Sequence, residues 1–167
     1  LFVERGLRGG ISTVCAKRYS EALPAALPAG ERTQIMYLDA NNLYGYAMCQ
    51  SLPRSDFKWL DPVPTVDEVI RSLTESPAGR GINQPSPQGN LYEVDLHYPK
   101  ELHDLHNSYP LAPEAAIIPI SRMSPYQHRL IKKLDLNPEN MKLVTTLDDK
   151  IRYVVHEDIL RLYLEFG

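Results

Sequence analysis

Fourteen prolines, ten of them gathered at 53–64, 77–87 and 110–125, limit this chain more than any other feature. A proline fixes its own φ, lacks an N–H and pushes the residue before it towards extended backbone, so regular structure stops where it stands. The chain is therefore cut into short islands joined by loops. At 167 residues it can still bury roughly 70% of its unfolded surface, enough for a real core. No apolar run approaches the ~18–20 residues of a membrane span, and residues 1–15 lack the apolar stretch of a signal peptide. Cys15 and Cys49 stand alone outside any Cys-x-x-Cys spacing. They indicate neither a zinc ribbon nor a disulfide framework, and two free thiols suit a reducing, intracellular compartment.

The formal net charge of −3 is not that of a self-sufficient nucleic-acid-binding domain, so any such contact has to be local. Residues 1–33 carry five Arg/Lys against three Glu, and 114–133 carry four against one, whereas 54–104 carry nine acids against five bases. The first basic stretch is also rich in glycine. Arg8-Gly9-Gly10 places two small residues, which let a backbone approach a partner closely, beside a guanidinium that pairs with phosphate. A glycine turn with a solvated Arg fits the same residues.

The islands read as an α+β fold. Residues 34–39, Gln-Ile-Met-Tyr-Leu-Asp, have the character of a short apolar strand ending at Asp39, and 42–50 has helical spacing with Leu43, Ala47 and Met48 on one side. Phe57-Lys58-Trp59-Leu60 reads as an aromatic strand, with Trp59 packing against a sheet. Thr65 and Glu68 form a capping-box pair ahead of Val69, Ile70 and Leu73. From Glu75 to Asn90 the composition is polar and rich in Pro and Gly, as in a mobile loop.

Residues 91–98 alternate strictly. Leu91, Glu93, Asp95 and His97 share one face and Tyr92, Val94, Leu96 and Tyr98 the other, the pattern of a half-buried strand. Glu93, Asp95 and His97 could be taken for metal ligands, but a solvated polar face is the favoured reading. His103 and His106, bracketed by Pro99 and Pro110, suit capping or surface roles. Ser124-Pro125 opens a helix running to Leu134, whose Arg129, Lys132 and Lys133 fit a phosphate contact, with an ordinary solvated basic face the favoured reading. Residues 141–147 and 150–156 read as a hairpin with Asp148-Asp149 at its tip. A helix over 157–166 follows, with acids in its first turn and Gly167 at its end.

Asp39 is the residue on which function turns. A carboxylate at the end of a strand, followed at once by a helix start, presents one hard oxygen ligand to a magnesium ion and free turn N–H groups to the anion the metal carries. An ordinary Asx turn into a helix would use the same residues. The stretch resembles the first carboxylate motif of family B DNA polymerases, which is Asp, two variable residues, Ser, Leu, Tyr and usually Pro. Asp39, Leu43 and Tyr44 match, Asn42 stands for Ser and Gly45 for Pro. The chain is most similar to the protein-primed branch, and within it to the polymerases of Maverick/Polinton transposons. The resemblance runs from Glu4 to Gly167, and the stretch from Tyr98 to Glu114 carries it without a break.

That resemblance implies a partial polymerase palm with antiparallel strands, flanking helices and a loop-rich insertion. Residues 1–33 would be a basic template-contact segment, 34–60 the palm strand and helix, 61–90 a short helix and loop, and 91–167 the next palm strand, insertion, hairpin and helix. Asp39 would be catalytic and bind two Mg2+ ions, which in such sites lie about 3.5–4 Å apart. Asn42 and Leu43 would meet the triphosphate through backbone N–H groups, and Tyr44 would exclude a ribose 2′-hydroxyl. Arg8, Gly9 and Gly10 would hold template DNA, although the family's Tyr position there is Leu7.

Implied partners are DNA template and primer, deoxynucleoside triphosphates and a terminal priming protein, with no membrane and, for a eukaryotic transposon, a nuclear location. The Lys-x-x-x-Asn-Ser-x-Tyr-Gly helix and the Asp-Thr-Asp turn of the family are not found. The chain therefore reads as an excerpt that does not polymerise alone, with an exposed sheet edge and marginal solubility. A non-catalytic, transposon-derived DNA-binding or interaction module is the alternative.

Overall fold

The computed structural model describes residues 1–13, 21–31, 33–50, 52–75 and 88–167. Among them are six short α-helices and four strands, an α+β fold: α1 Phe2–Arg5, α2 Leu43–Met48, α3 Val66–Thr74, β1 Leu91–Leu96, α4 His103–His106, β2 Glu114–Ala116, α5 Pro125–Leu134, β3 Lys142–Val144, β4 Lys150–His156 and α6 Glu157–Glu165. The strands form two sheets of two, β1 with β4 and β2 with β3. The described residues fall into two compact units, one of 1–13, 93–154 and 167, the other of 21–92 with 155–166.

The helix ends follow local chemistry. Ser124 Oγ accepts from Gln127 N at 3.2 Å while Gln127 Oε1 accepts from Ser124 N at 2.7 Å, and Pro125 fills the first position of α5, where no N–H is needed. Thr65 and Glu68 make the same reciprocal pair at α3, and those bonds hold the Glu68 carboxyl below its ordinary range. Gly167, at φ 110°, follows α6 in the conformation that glycine adopts most easily.

In the first unit, β1 keeps the expected alternation: Val94, Leu96 and Tyr98 are covered while Glu93, Asp95 and His97 face solvent. Tyr98, Ala112, Tyr153 and Val154 are buried there, together with His106 and Lys150. In the second unit α3 packs on α6, where Leu73 and Leu160 are buried and Arg161 Nε donates to the Leu73 carbonyl at 3.1 Å. Asn90, just before β1, is tied to the first residue of α6. The Glu157 carboxylate accepts from Asn90 N and Nδ2 at 3.1 and 2.8 Å, and Glu157 N returns a bond to Asn90 O at 2.9 Å.

Several expectations are corrected. Residues 141–147 and 150–156 do not form a hairpin. β3 pairs antiparallel with β2, Glu114 opposite Val144 and Ala116 opposite Lys142, and β4 pairs with β1. Asp148 and Asp149 are not spent on a tight turn, because Asp148 pairs with Arg122 at 2.6 Å and Asp149 accepts from Tyr98 N at 2.8 Å. Residues 33–40 and 57–60 are irregular rather than strands. Strands need a neighbour to take their hydrogen bonds, and no described strand lies beside them. Their apolar side chains are correspondingly open, with Tyr37 88% and Trp59 81% exposed, so Trp59 does not pack against a sheet. His106, expected in a capping or surface role, is instead buried at 7% exposure. Most of the expected loop over 75–90 lies outside the described residues.

The β4 side of the first sheet is covered by the amino-terminal segment. Arg5 Nη2 and Arg8 Nη1 each donate at 2.8 Å, to the carbonyls of Arg152 and Val154. Guanidinium groups that satisfy strand carbonyls blunt an edge that would otherwise invite pairing with another chain.

Candidate functional site

Asp39 lies in the second unit, in irregular backbone and exposed, and among the described residues it makes no ion pair or hydrogen bond. Three residues on, Asn42 takes φ 52° and ψ 42° and turns the chain into α2 without capping it by its side chain. The first helical bond runs from Tyr46 N to Asn42 O at 3.0 Å, so the N–H groups of Leu43, Tyr44 and Gly45 have no partner within the helix. The Asn42 amide lies over Gly45, where a Cβ would overlap it. Tyr44 is 86% exposed.

The short segment from Asp39 to Gly45 therefore offers one unpaired carboxylate, three open N–H groups and an uncovered phenol. Magnesium takes oxygen ligands and is commonly held by one or two carboxylates together with substrate phosphates. Asp39 fits the part of one such ligand. Among the described residues there is no group of three or more His, Cys, Asp or Glu side chains arranged to hold a metal. The donor set thus falls short of a two-ion centre, and no reaction step follows from these residues alone.

Arg8, Gly9 and Gly10 lie in the first unit. The Arg8 guanidinium sits 3.8 Å over the Tyr153 ring and donates from Nη1 to Val154 O at 2.8 Å and Gly6 O at 3.2 Å. It is a packing element, committed within its own unit. Gly9 and Gly10 have open space where a Cβ would stand and are not at positive φ, so the backbone there does not itself demand glycine.

The acidic face of β1 is an ion-pair network. Glu93 pairs with Arg5 and, at 2.7 Å, with Arg152 Nε, while Asp95 Oδ1 accepts from Arg152 N at 2.7 Å. Arg152 stands at φ 52°, and these contacts hold it there. Hydrogen bonding from Arg152, more than any other cause, keeps the Glu93 carboxyl below its ordinary range. His97 Nδ1 lies 3.1 Å from Asp149 Oδ1, and the Asp149 carboxyl is lowered chiefly by the Tyr98 N–H.

Sequence reasoning missed two buried polar groups. Lys150, 1% exposed, places Nζ 2.7 Å from Glu114 Oε1, 2.6 Å from Thr146 Oγ1 and 3.2 Å from Thr146 O, which uses all three ammonium protons. Tyr98 Oη accepts from Leu111 N at 3.2 Å and bonds His106 Nδ1 at 2.7 Å, while His106 Nε2 is buried with no partner among the described residues. No pattern points to Lys150 on β4, whose counter-ion on β2 lies 36 residues away and is brought close only by tertiary packing.

No family model, curated protein or solved structure matches the chain. Among the described residues no helix is long and apolar enough to cross a membrane.

Proposed function

We propose that this chain is part of a DNA-directed DNA polymerase of the protein-primed family B type, a partial palm that carries the first of two catalytic carboxylates and is inactive by itself. The observation that carries the reading is the unpaired, solvent-open Asp39 followed along the chain by three unspent N–H groups and an exposed Tyr44, in the order of the resembling motif. Asp39 would be one ligand of the Mg2+ ions, which supply charge neutralisation for nucleotidyl transfer when bound. The N–H groups from Leu43 onward would face the triphosphate, and Tyr44 would meet the sugar. DNA, deoxynucleoside triphosphates and a priming protein are the partners in that reading, in an intracellular and, for a eukaryotic source, nuclear setting. Arg8 contributes to template contact there only by giving up its place on Tyr153.

The test is a Mn2+ titration followed by NMR line broadening, with and without a deoxynucleoside triphosphate. Broadening should centre on residues 39–44 and disappear in Asp39→Asn. If the ion broadens other residues first, or Asp39→Asn responds like the parent chain, Asp39 is not a metal ligand. A second reading, a non-catalytic interaction module, draws on the exposed apolar side chains of Ile35, Met36, Leu38 and Trp59. It predicts no response at Asp39.

A further inference from the structure

A cleft of about 490 Å3 opens in the first unit, lined by the turn after α4 on one side and the connection from β3 to β4 on the other. Its size is that of a small-molecule site, but its lining is polar: His103, Asn107, Ser108, Arg122, Thr145 and Asp148. Neither wall is a loose loop. Behind the first, buried Tyr98 holds Leu111 N at 3.2 Å and His106 at 2.7 Å, and its carbonyl meets His103 Nε2 at 3.3 Å. Behind the second, the buried Lys150 ammonium grips the Thr146 hydroxyl and carbonyl at 2.6 and 3.2 Å. Both buried polar networks of the unit thus fix cleft walls in advance of any ligand.

From this lining we infer that the cleft binds a small, uncharged, hydroxyl-rich molecule, a saccharide ring. The two full charges cancel: Arg122 and Asp148 pair through two contacts of 2.6 and 3.3 Å, and an anion or a cation would have to displace one from the other. What remains unspent is neutral. The Asn107 amide and the Ser108 and Thr145 hydroxyls make no hydrogen bond among the described residues, and each both donates and accepts, as sugar hydroxyls do. The ion pair itself sets a donor beside an acceptor, a match for two adjacent hydroxyls. Pro110 and Leu147 supply apolar edges for ring C–H groups. This proposal does not rest on the polymerase reading.

The test is a two-dimensional amide NMR titration of the whole chain with D-glucose, D-ribose, uridine and inorganic phosphate in separate arms. Each is taken to about 50 mM, since a shallow polar site is expected to bind at millimolar strength. The expected result is saturable shifts at Asn107, Ser108 and Thr145 with at least one sugar-bearing probe, weakened tenfold or more in Asn107→Ala/Ser108→Ala. Both of those residues are exposed, so the double variant should fold as the parent does. Preference for uridine over ribose assigns the site to the sugar of a nucleoside, and preference for glucose or ribose to a free saccharide. Absence of saturation with all three, binding of phosphate in their place, or unchanged binding by the double variant overturns the proposal.

Discussion

Replacing Glu114 by Ala should cost more than removing Lys150 itself. The Lys150 ammonium is 1% exposed and its ion-pair partner among the described residues is the Glu114 carboxylate at 2.7 Å, with Asp148 and Asp149 acting at longer range and Thr146 contributing dipoles. Breaking a buried ion pair from one side costs roughly 3–5 kcal/mol because the surviving charge stays buried. Glu114 is 33% exposed, so water can reach part of the site, and the expected cost falls to about 2–3 kcal/mol. For a chain of this size that is a fall of about 4–12 °C in Tm. Lys150→Met removes the trapped charge and keeps most of the volume, leaving a carboxylate that solvent can reach. Its cost should be about 1 kcal/mol or less. The double variant should lose about as much as Lys150→Met alone, well below the sum of the two losses. Thermal unfolding of the four proteins, with amide exchange at Tyr153 and Val154 to report on the first unit, reads this out. If Lys150→Met loses as much as Glu114→Ala, or the two losses simply add, the buried charge is not what sets the cost.

Arg8→Ala should lose about 1–2 kcal/mol, from the Tyr153 stack and two carbonyl bonds, whereas Gly9→Ala should change stability by less than about 0.5 kcal/mol. Equal urea midpoints for the two variants would contradict the assigned roles. Ser124→Ala removes the side-chain cap of α5 and should cost about 1 kcal/mol, seen as faster amide exchange at Gln127 and His128. Glu68, Glu93, Asp148 and Asp149 all have carboxyl pKa values held below their unfolded ones, Asp148 chiefly by its bond to Arg122. Their contribution is present above the unfolded value of about 4 and is lost as pH falls through the lower folded values. The urea midpoint should therefore drop on acidification below about pH 4, and a midpoint that holds or rises there would show these pairs to be without effect.

The features that could be read in advance are those completed within a few residues. The caps at Thr65 and Ser124, the alternation of β1, the acidic first turn of α6 and the glycine after it all depend on neighbours no more than four positions away. Asp39 and Tyr44 are both exposed, but the strand expected to end at Asp39 is irregular backbone. That difference has a physical cause, since an apolar hexapeptide states a preference for extended structure but becomes a strand only beside another strand.

The sequence by itself determined where α3, α5 and α6 begin and which side of β1 faces water, because capping hydrogen bonds and periodicity local to the chain settle both. Tertiary structure alone decided that β3 joins β2 and β4 joins β1, that Lys150 finds Glu114, that His106 is buried on Tyr98 and that Arg8 packs on Tyr153. Each of those outcomes depends on which distant segment arrives alongside, and the side chains concerned have partners 8 to 145 residues away. A lysine or histidine looks the same in sequence whether solvent or a carboxylate awaits it. Only the packed chain makes the choice, through the high cost of burying a polar group without a partner.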